Sequence, residues 1–415
     1  MECSLLIQHL MKSLYIRRRR IAGLFTAVIL LALADGCARV QRWAAGSSSG
    51  GSSSDINGLA SRTRTGELGA DLKSLEVENH FGKVEIIGTD KGPVSWSWKV
   101  TVRARTDSLA TNAVNQTSCK PVIDGSRVQL LLALPENTQD LHCESDLEIR
   151  VPKAMALLIK NHFGATTIAR VDGDVDVNAQ NGSVDLINIG GQVHAQSSFA
   201  SLTVKGAPTA ILKSQNGAIE AAEIRGPLEA ETSFAALSAQ DIGGAARLRN
   251  QNGRIEAVHV KGNVDAKTSF AELILKDIEG DTTLANQNGR VSTQNVTGSV
   301  RADTSFASME IECAGHVLVC HNQNGAIELR ATSPELASID AETAFGSMEV
   351  HLSAGLKPAI QARTSFGNVE SDFPVLMKPA GENPFADVEA GTPQIKLQNH
   401  NGQIRIVRDK TTASR

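Results

Sequence analysis

One position in this chain returns at nearly constant spacing over much of its length, and that return limits what the chain can fold into. The phrase Thr-Ser-Phe-Ala occurs at 232–235, 268–271 and 304–307, with Gln-Asn-Gly midway at 251–253 and 287–289. Aligning Phe with Asn gives one column: Phe163, Asn181, Phe199, Asn216, Phe234, Asn252, Phe270, Asn288, Phe306 and Asn324. Every step is eighteen positions, except that the step from Phe199 to Asn216 is one shorter. The structural unit is therefore eighteen positions long, overlaid by a two-layer alternation of Phe and Asn. Phe81, Phe345 and Phe366 extend the series less regularly.

Counting from that column, apolar residues recur at +3, +5, +8, +12 and +14. The unit starting at Asn252 supplies Ile255, Ala257, Val260, Val264 and Ala266; the next supplies Leu273, Leu275, Ile278, Thr282 and Leu284. The +3/+5 and +12/+14 pairs have the period of two of a strand with one buried face, and the phase shift between them marks a corner. Gly173, Gly191, Gly226, Gly244, Gly262, Gly280 and Gly298 stand at +10, where the pattern predicts a bend through positive φ. Two short strands and two corners per unit describe an all-β, single-stranded β-solenoid, or β-helix, stacked by parallel hydrogen bonding. The regular part spans 161–370. Aromatics are only 4% of the chain, which suits a thin core of Val, Ile, Leu and Ala.

Both ends depart from the pattern. Asn-His-Phe-Gly occurs at 79–82 and again at 161–164, several units apart rather than one. Between them Val94, Trp96, Trp98, Val100 and Val102 alternate with polar residues, followed by strand-like 128–134 and 147–151. The pattern predicts a first rung with a small antiparallel cap sheet over 70–160. Pro374, Pro379, Pro384 and Pro393 mark a loop before a last rung at Asn399–Gly402, giving a 371–407 segment and a tail at 408–415. Such caps protect open strand edges.

Three motifs carry a family resemblance: Val84-Glu85-Ile86 after Phe81-Gly82, Ile149-Arg150-Val151-Pro152-Lys153 leading into Leu158–Gly164, and the repeated Asn-Gly-x-Ile/Val layers. Over roughly 70–407 the chain resembles the bacterial putative-adhesin family of exported β-strand-repeat domains. That resemblance implies an exported solenoid and brings no catalytic residues with it.

The N-terminus reads as an address. Arg17–Arg20 precede an apolar run over 21–34, and Leu33-Ala34-Asp35-Gly36-Cys37 resembles a lipobox, so 1–37 is expected to be a lipoprotein-like signal with Cys37 as lipid anchor. The Ser/Gly-rich stretch at 46–54 makes 38–69 a flexible tether. An envelope localisation follows, at the periplasm or cell surface, with the membrane as one partner and an envelope protein or polysaccharide as another. A formal charge of −4 gives no surplus to neutralise phosphates, so nucleic acid is not expected.

Catalytic motifs such as a nucleophile elbow, a Walker loop or a His-Glu zinc motif are absent from the sequence, and neither a cofactor nor a metal is expected. Asp172, Asp174 and Asp176 read as a solvated strand face; His80, His162 and His400 read as turn chemistry. An oxidising compartment would permit a disulfide in each of two local pairs, Cys119 with Cys143 and Cys313 with Cys320, although the latter two differ in corner and inward placement. The Phe column admits two readings: a corner of the core with Asn leaving it room, which is the favoured one, or an aromatic row for sugar rings. The expected function is non-enzymatic adhesion or scaffolding on a repetitive surface. The alternatives are a β-helix carbohydrate-active enzyme and a self-assembling envelope filament. Cys37→Ala should abolish labelling by palmitate and release the protein from membranes; membrane retention without label would mean an uncleaved anchor.

Overall fold

The computed structural model describes residues 57–69, 71–135, 140–376, 385–386 and 388–409. Cys37, the signal and residues 38–56 of the tether lie outside the described residues; Gly58–Leu68, expected to be flexible tether, is instead a paired strand. The chain divides into two units. In the smaller, formed by segments ending at Ala60 and spanning Val102–Gln116 and Pro135–Cys143, a helix runs over Asp107–Gln116 and buries Ala110, Ala113 and Val114. Thr106 caps it by accepting from Leu109 N at 3.3 Å.

The larger unit is all-β and consists of two long sheets of mainly parallel strands. The chain visits them in alternation, as in Val175–Ala179, Val184–Ile189, Val193–Ser197 and Leu202–Ala207. In the regular stretch each strand pairs with the strand two places on, and the offset is the sequence repeat: Val175 beside Val193, Val184 beside Leu202, Leu273 beside Val291. We call one strand from each sheet a layer. The short step is absorbed in register, with Val193 beside Ala210. The ten inward residues named above for the Asn252 and Phe270 units are all 2% exposed or less. Core size alternates along one inward column, as Leu212, Ala230, Leu248, Ala266, Leu284 and Ala302, so that large and small side chains interdigitate.

The two corners are built differently. At +10 the glycines are needed for close approach, and their φ is not positive. A Cβ on Gly280 would lie 2.5 Å from the backbone of Gly262, and one on Gly298 would lie 2.3 Å from that of Gly280. The positive φ expected there falls earlier in the layer, at +7, on Arg170, Asn188, Glu223, Asp241, His259, Asp277 and Asn295, all between 55° and 59°. Asn, Asp and His tolerate this region better than branched residues do.

The other corner follows the Thr-Ser-Phe-Ala and Asn-Gln-Asn-Gly phrases, and its first residue points inward. Asn250 Nδ2 donates to Ala235 O of the layer before at 2.7 Å, and Thr268 Oγ1 donates to Gly253 O at 3.1 Å. Asn286 Nδ2 donates to Ala271 O at 2.8 Å, and Asn322 Nδ2 to Ala307 O at 2.7 Å. All four side chains are buried. An unpaired buried carbonyl is costly, and in these four layers the side chain supplies the partner its predecessor lacks, whereas Thr304 Oγ1 donates to Ala307 O of its own layer.

Both ends are folded back. Gln394–Asn401 lies between Ser338–Phe345 and Ala359–Phe366, and Ile404–Arg408 lies between Met348–Leu352 and Val369–Ser371. The layer expected to be last is therefore next to last, because the outermost layer forms before the chain returns. At the other end Arg127–Ala133 pairs in parallel with Ser74–Asn79, and Leu147 sits beside Val84 in a parallel ladder. These strands, expected to form an antiparallel cap, instead continue the stack. The hairpin of Ser118–Asp124 with Arg127–Ala133 does have an antiparallel register, and Val94–Ala104 belongs to the same sheet as Leu147.

The four described cysteines carry free thiols, so neither permitted bridge, Cys119–Cys143 or Cys313–Cys320, is formed. Cys119 instead faces Leu132 across the hairpin. Burial raises its thiol to about 12 and Cys313 to about 11; it also raises Cys143 and Cys320. A folded-state thiol raised in this way stabilises the fold fully below the unfolded value, near 9, and that contribution is lost as pH rises toward 11. Melting curves from pH 8 to 11 should therefore show a shallower alkaline fall in Cys313→Ala than in the parent. Gly280→Ala should cost about 1–3 kcal/mol through overpacking, and Thr268→Val about 1 kcal/mol through the unpaired Gly253 carbonyl, both read by denaturant unfolding.

Candidate functional site

The outward column at this same corner is the most distinctive surface of the larger unit. Its backbone is pinned layer by layer: Asn252 N donates to Ser233 O at 2.9 Å, Asn288 N to Ser269 O at 2.9 Å, Phe306 N to Gln287 O at 2.9 Å and Asn324 N to Ser305 O at 2.8 Å. The Asn side chains make the same step. Asn252 Nδ2 reaches Ser233 O at 3.1 Å, and Asn288 Nδ2 reaches Ser269 O at 3.2 Å.

The Phe rings point away from the core. Phe199, Phe234, Phe270, Phe306, Phe345 and Phe366 are 51–67% exposed, whereas Phe373 is the buried one among the described phenylalanines. The core-packing reading of the column is thus corrected: the inward slot at this corner belongs to the buried Asn and Thr two positions earlier, which leaves the ring outside. Sequence reasoning missed that inner ladder, although Asn250, Thr268, Asn286, Thr304 and Asn322 alternate visibly in step with the outer column.

Strand order also completes the column. In sequence Phe345 is followed by Phe366, but in space Asn401 stands between them, in register with both. From Phe163 to Phe366 a ring therefore occupies every second layer. Neighbouring strands are about 4.8 Å apart, so successive rings are about 9.6 Å apart. In the middle of the column the residue before each is uncharged: Ser233, Ser269 and Ser305 precede Phe, while Gln215, Gln251, Gln287 and Gln323 precede Asn. Exposed aromatic faces alternating with amides and hydroxyls can stack against one ligand ring and hydrogen-bond the next.

Other candidates disperse or meet different partners. Asp174 accepts from Gln192 N at 2.8 Å, a turn contact one layer on, and Asp176 stays on the outward strand face beside His194. His400 meets Phe366 and Phe345 edge-on, with centroids at 5.5 and 6.4 Å. His80 and His162 come together with Glu78, and their rings stack at 4.8 Å. At the +7 corner His259 bridges Asp241 at 3.1 Å and Asp277 at 3.4 Å, all three half-exposed.

No family model matches the chain, and no curated protein does so. Among solved structures it is similar to a putative cell adhesion protein from Clostridium sporogenes, at 8% identity and a TM-score of 0.22, covering 84% of this chain and all of that one. It is also similar to a putative adhesin from Parabacteroides distasonis, at 13% identity and a TM-score of 0.24, covering 71% of this chain and 97% of that one. A putative lipid binding protein from the same species matches at 12% identity and a TM-score of 0.19, covering 85% and 99%. The second description carries the family name that the sequence motifs suggested, and the first names a cell adhesion protein. At TM-scores this low, function is argued from the surface itself. Since the rings are exposed, Phe270→Ser should change stability by less than about 0.5 kcal/mol, measured by thermal and urea unfolding.

Proposed function

We propose that the larger unit is a β-solenoid of eighteen-residue rungs whose Phe corner is a non-enzymatic adhesion surface for an extended polysaccharide. The observation that carries this reading is a row of outward phenyl rings in register, one per two layers. Exposed aromatics on a soluble surface are unfavourable unless something covers them, and here six recur at one position. A spacing of about 9.6 Å suits a polymer whose ring geometry repeats with every second sugar, so that each phenyl meets an equivalent face. The flanking Ser and Gln side chains supply neutral hydrogen bonds, which suits an uncharged or weakly charged glycan better than a polyanion. Many weak, identical contacts add through avidity, and this is how an adhesive surface gains strength without a deep pocket.

The anchor belongs to the same reading. Acylated Cys37 and the Ser/Gly tether would hold the row off an envelope membrane and free it to reach a surface polymer. Among the described residues no helix is long and apolar enough to cross a membrane.

Retention on insoluble cellulose, chitin and peptidoglycan tests the proposal. The full chain should be retained by at least one of them. Phe234→Ser/Phe270→Ser/Phe306→Ser should lose at least about tenfold in affinity with its melting curve unchanged. Equal retention of the triple variant, or release of soluble sugar by the parent chain, would contradict it.

A further inference from the structure

We infer that Glu78, His80 and His162 form a binding site for one divalent transition-metal ion, with zinc the best fit. The site is created by the long excursion between the two Asn-His-Phe-Gly phrases. Ser74–Asn79 pairs in parallel with Ala156–Asn161, so that Asn79 lies beside Asn161 and the residue after each is a histidine. The two imidazoles therefore stand on neighbouring layers, with centroids 4.8 Å apart and planes inclined by 15°. A long separation in sequence becomes one strand spacing in space.

Glu78 completes the set from the same outward face. Its Oε1 lies 3.3 Å from His162 Nε2 and 4.0 Å from His80 Nε2, so both rings turn the same nitrogen toward one carboxylate oxygen. The ligand atoms of all three residues lie within 4.8 Å of one another, and among the described residues this is the one such group of three or more. In a tetrahedral zinc site, with bonds of about 2.0–2.2 Å, donor atoms are about 3.4 Å apart. The His162–Glu78 pair already has that spacing; His80 needs to close by about half an ångström on Glu78, and the two stacked imidazoles need to tilt toward each other from their 4.8 Å separation. The side chains are 29–50% exposed, so rotation about their own bonds suffices and the ion enters from solvent. Two imidazoles and a carboxylate form a borderline nitrogen and oxygen donor set that suits zinc, nickel or copper rather than magnesium or calcium. Three protein ligands leave a fourth position for water.

The place is distinct in the fold as well. Everywhere from Phe163 onward Phe alternates with Asn in the outward column, but here Phe81 and Phe163 stack directly, with centroids at 5.4 Å and planes at 16°. The doubled phenyl pair follows the histidine pair by one residue on each layer. Like residues over like at two successive positions is what a site shared between two layers requires, and the regular alternation does not supply it.

The test titrates the full chain, purified without a polyhistidine tag, with zinc chloride in competition with a chromophoric chelator. One equivalent should bind. His80→Gln and His162→Gln should each weaken binding at least about tenfold, as should Glu78→Gln, with circular dichroism unchanged. His259→Gln, which alters the His259 group between Asp241 and Asp277, should bind as the parent does. In the unaltered protein, zinc should protect His80 and His162 from carbethoxylation by diethyl pyrocarbonate, a readout independent of any variant's folding. Absence of stoichiometric binding, loss of binding only in His259→Gln, or unprotected His80 and His162 at saturating zinc would overturn the assignment.

Discussion

The larger unit depends on how each layer's corner carbonyl finds a hydrogen-bond donor. Strand ladders satisfy the straight segments without help from side chains, but where the chain turns, the backbone points into a buried space with no strand beside it. The side chains of Asn250, Thr268, Asn286 and Asn322 reach back one layer and fill that need. Because an amide and a hydroxyl differ in reach, the corner comes in two versions, and the two alternate. The doubled repeat of the sequence, two layers long, is the record of that alternation. Leu beside Asn and Ala beside Thr carry it into the core, while Asn and Phe carry it to the surface.

The surface property then follows from packing. Once the inward slot is taken by a buried polar residue, the residue two places on must face solvent, and its side chain is free of core constraints. Phenylalanine at that position in every second layer is therefore not required by the fold. A row that packing does not explain is where an adhesive role finds its support.

The period, the inward positions and the strand-corner-strand order were legible in the sequence because each is a statement about apolar spacing, and Ile255, Ala257 and Val260 lie where that spacing puts them. Three things were hidden for physical reasons. The role of Gly262 and Gly280 is close approach between layers, which a one-dimensional pattern cannot distinguish from a need for positive φ; His259 and Asp277 hold the positive φ instead. The exposure of Phe270 depends on Thr268 occupying the corner, a competition for one site that hydrophobicity alone decides wrongly. The return of Gln394–Asn401 between two earlier strands, and the meeting of His80 with His162, are topological facts set by strand pairing across long separations.

Stacking at an offset of one eighteen-residue unit is the claim on which all of this stands, and engineered disulfide formation reads it directly. Glu256 and Ile274 are register partners on the outward face of neighbouring layers, within the Cα separation a disulfide bridges, about 4.4–6.8 Å. Glu256→Cys with Ile274→Cys should cross-link rapidly under mild oxidation, while Glu256→Cys with Lys276→Cys, offset by two positions, should remain reduced. Equal yields from the two pairs, or a link only in the offset pair, would contradict the register and the corner ladder built on it.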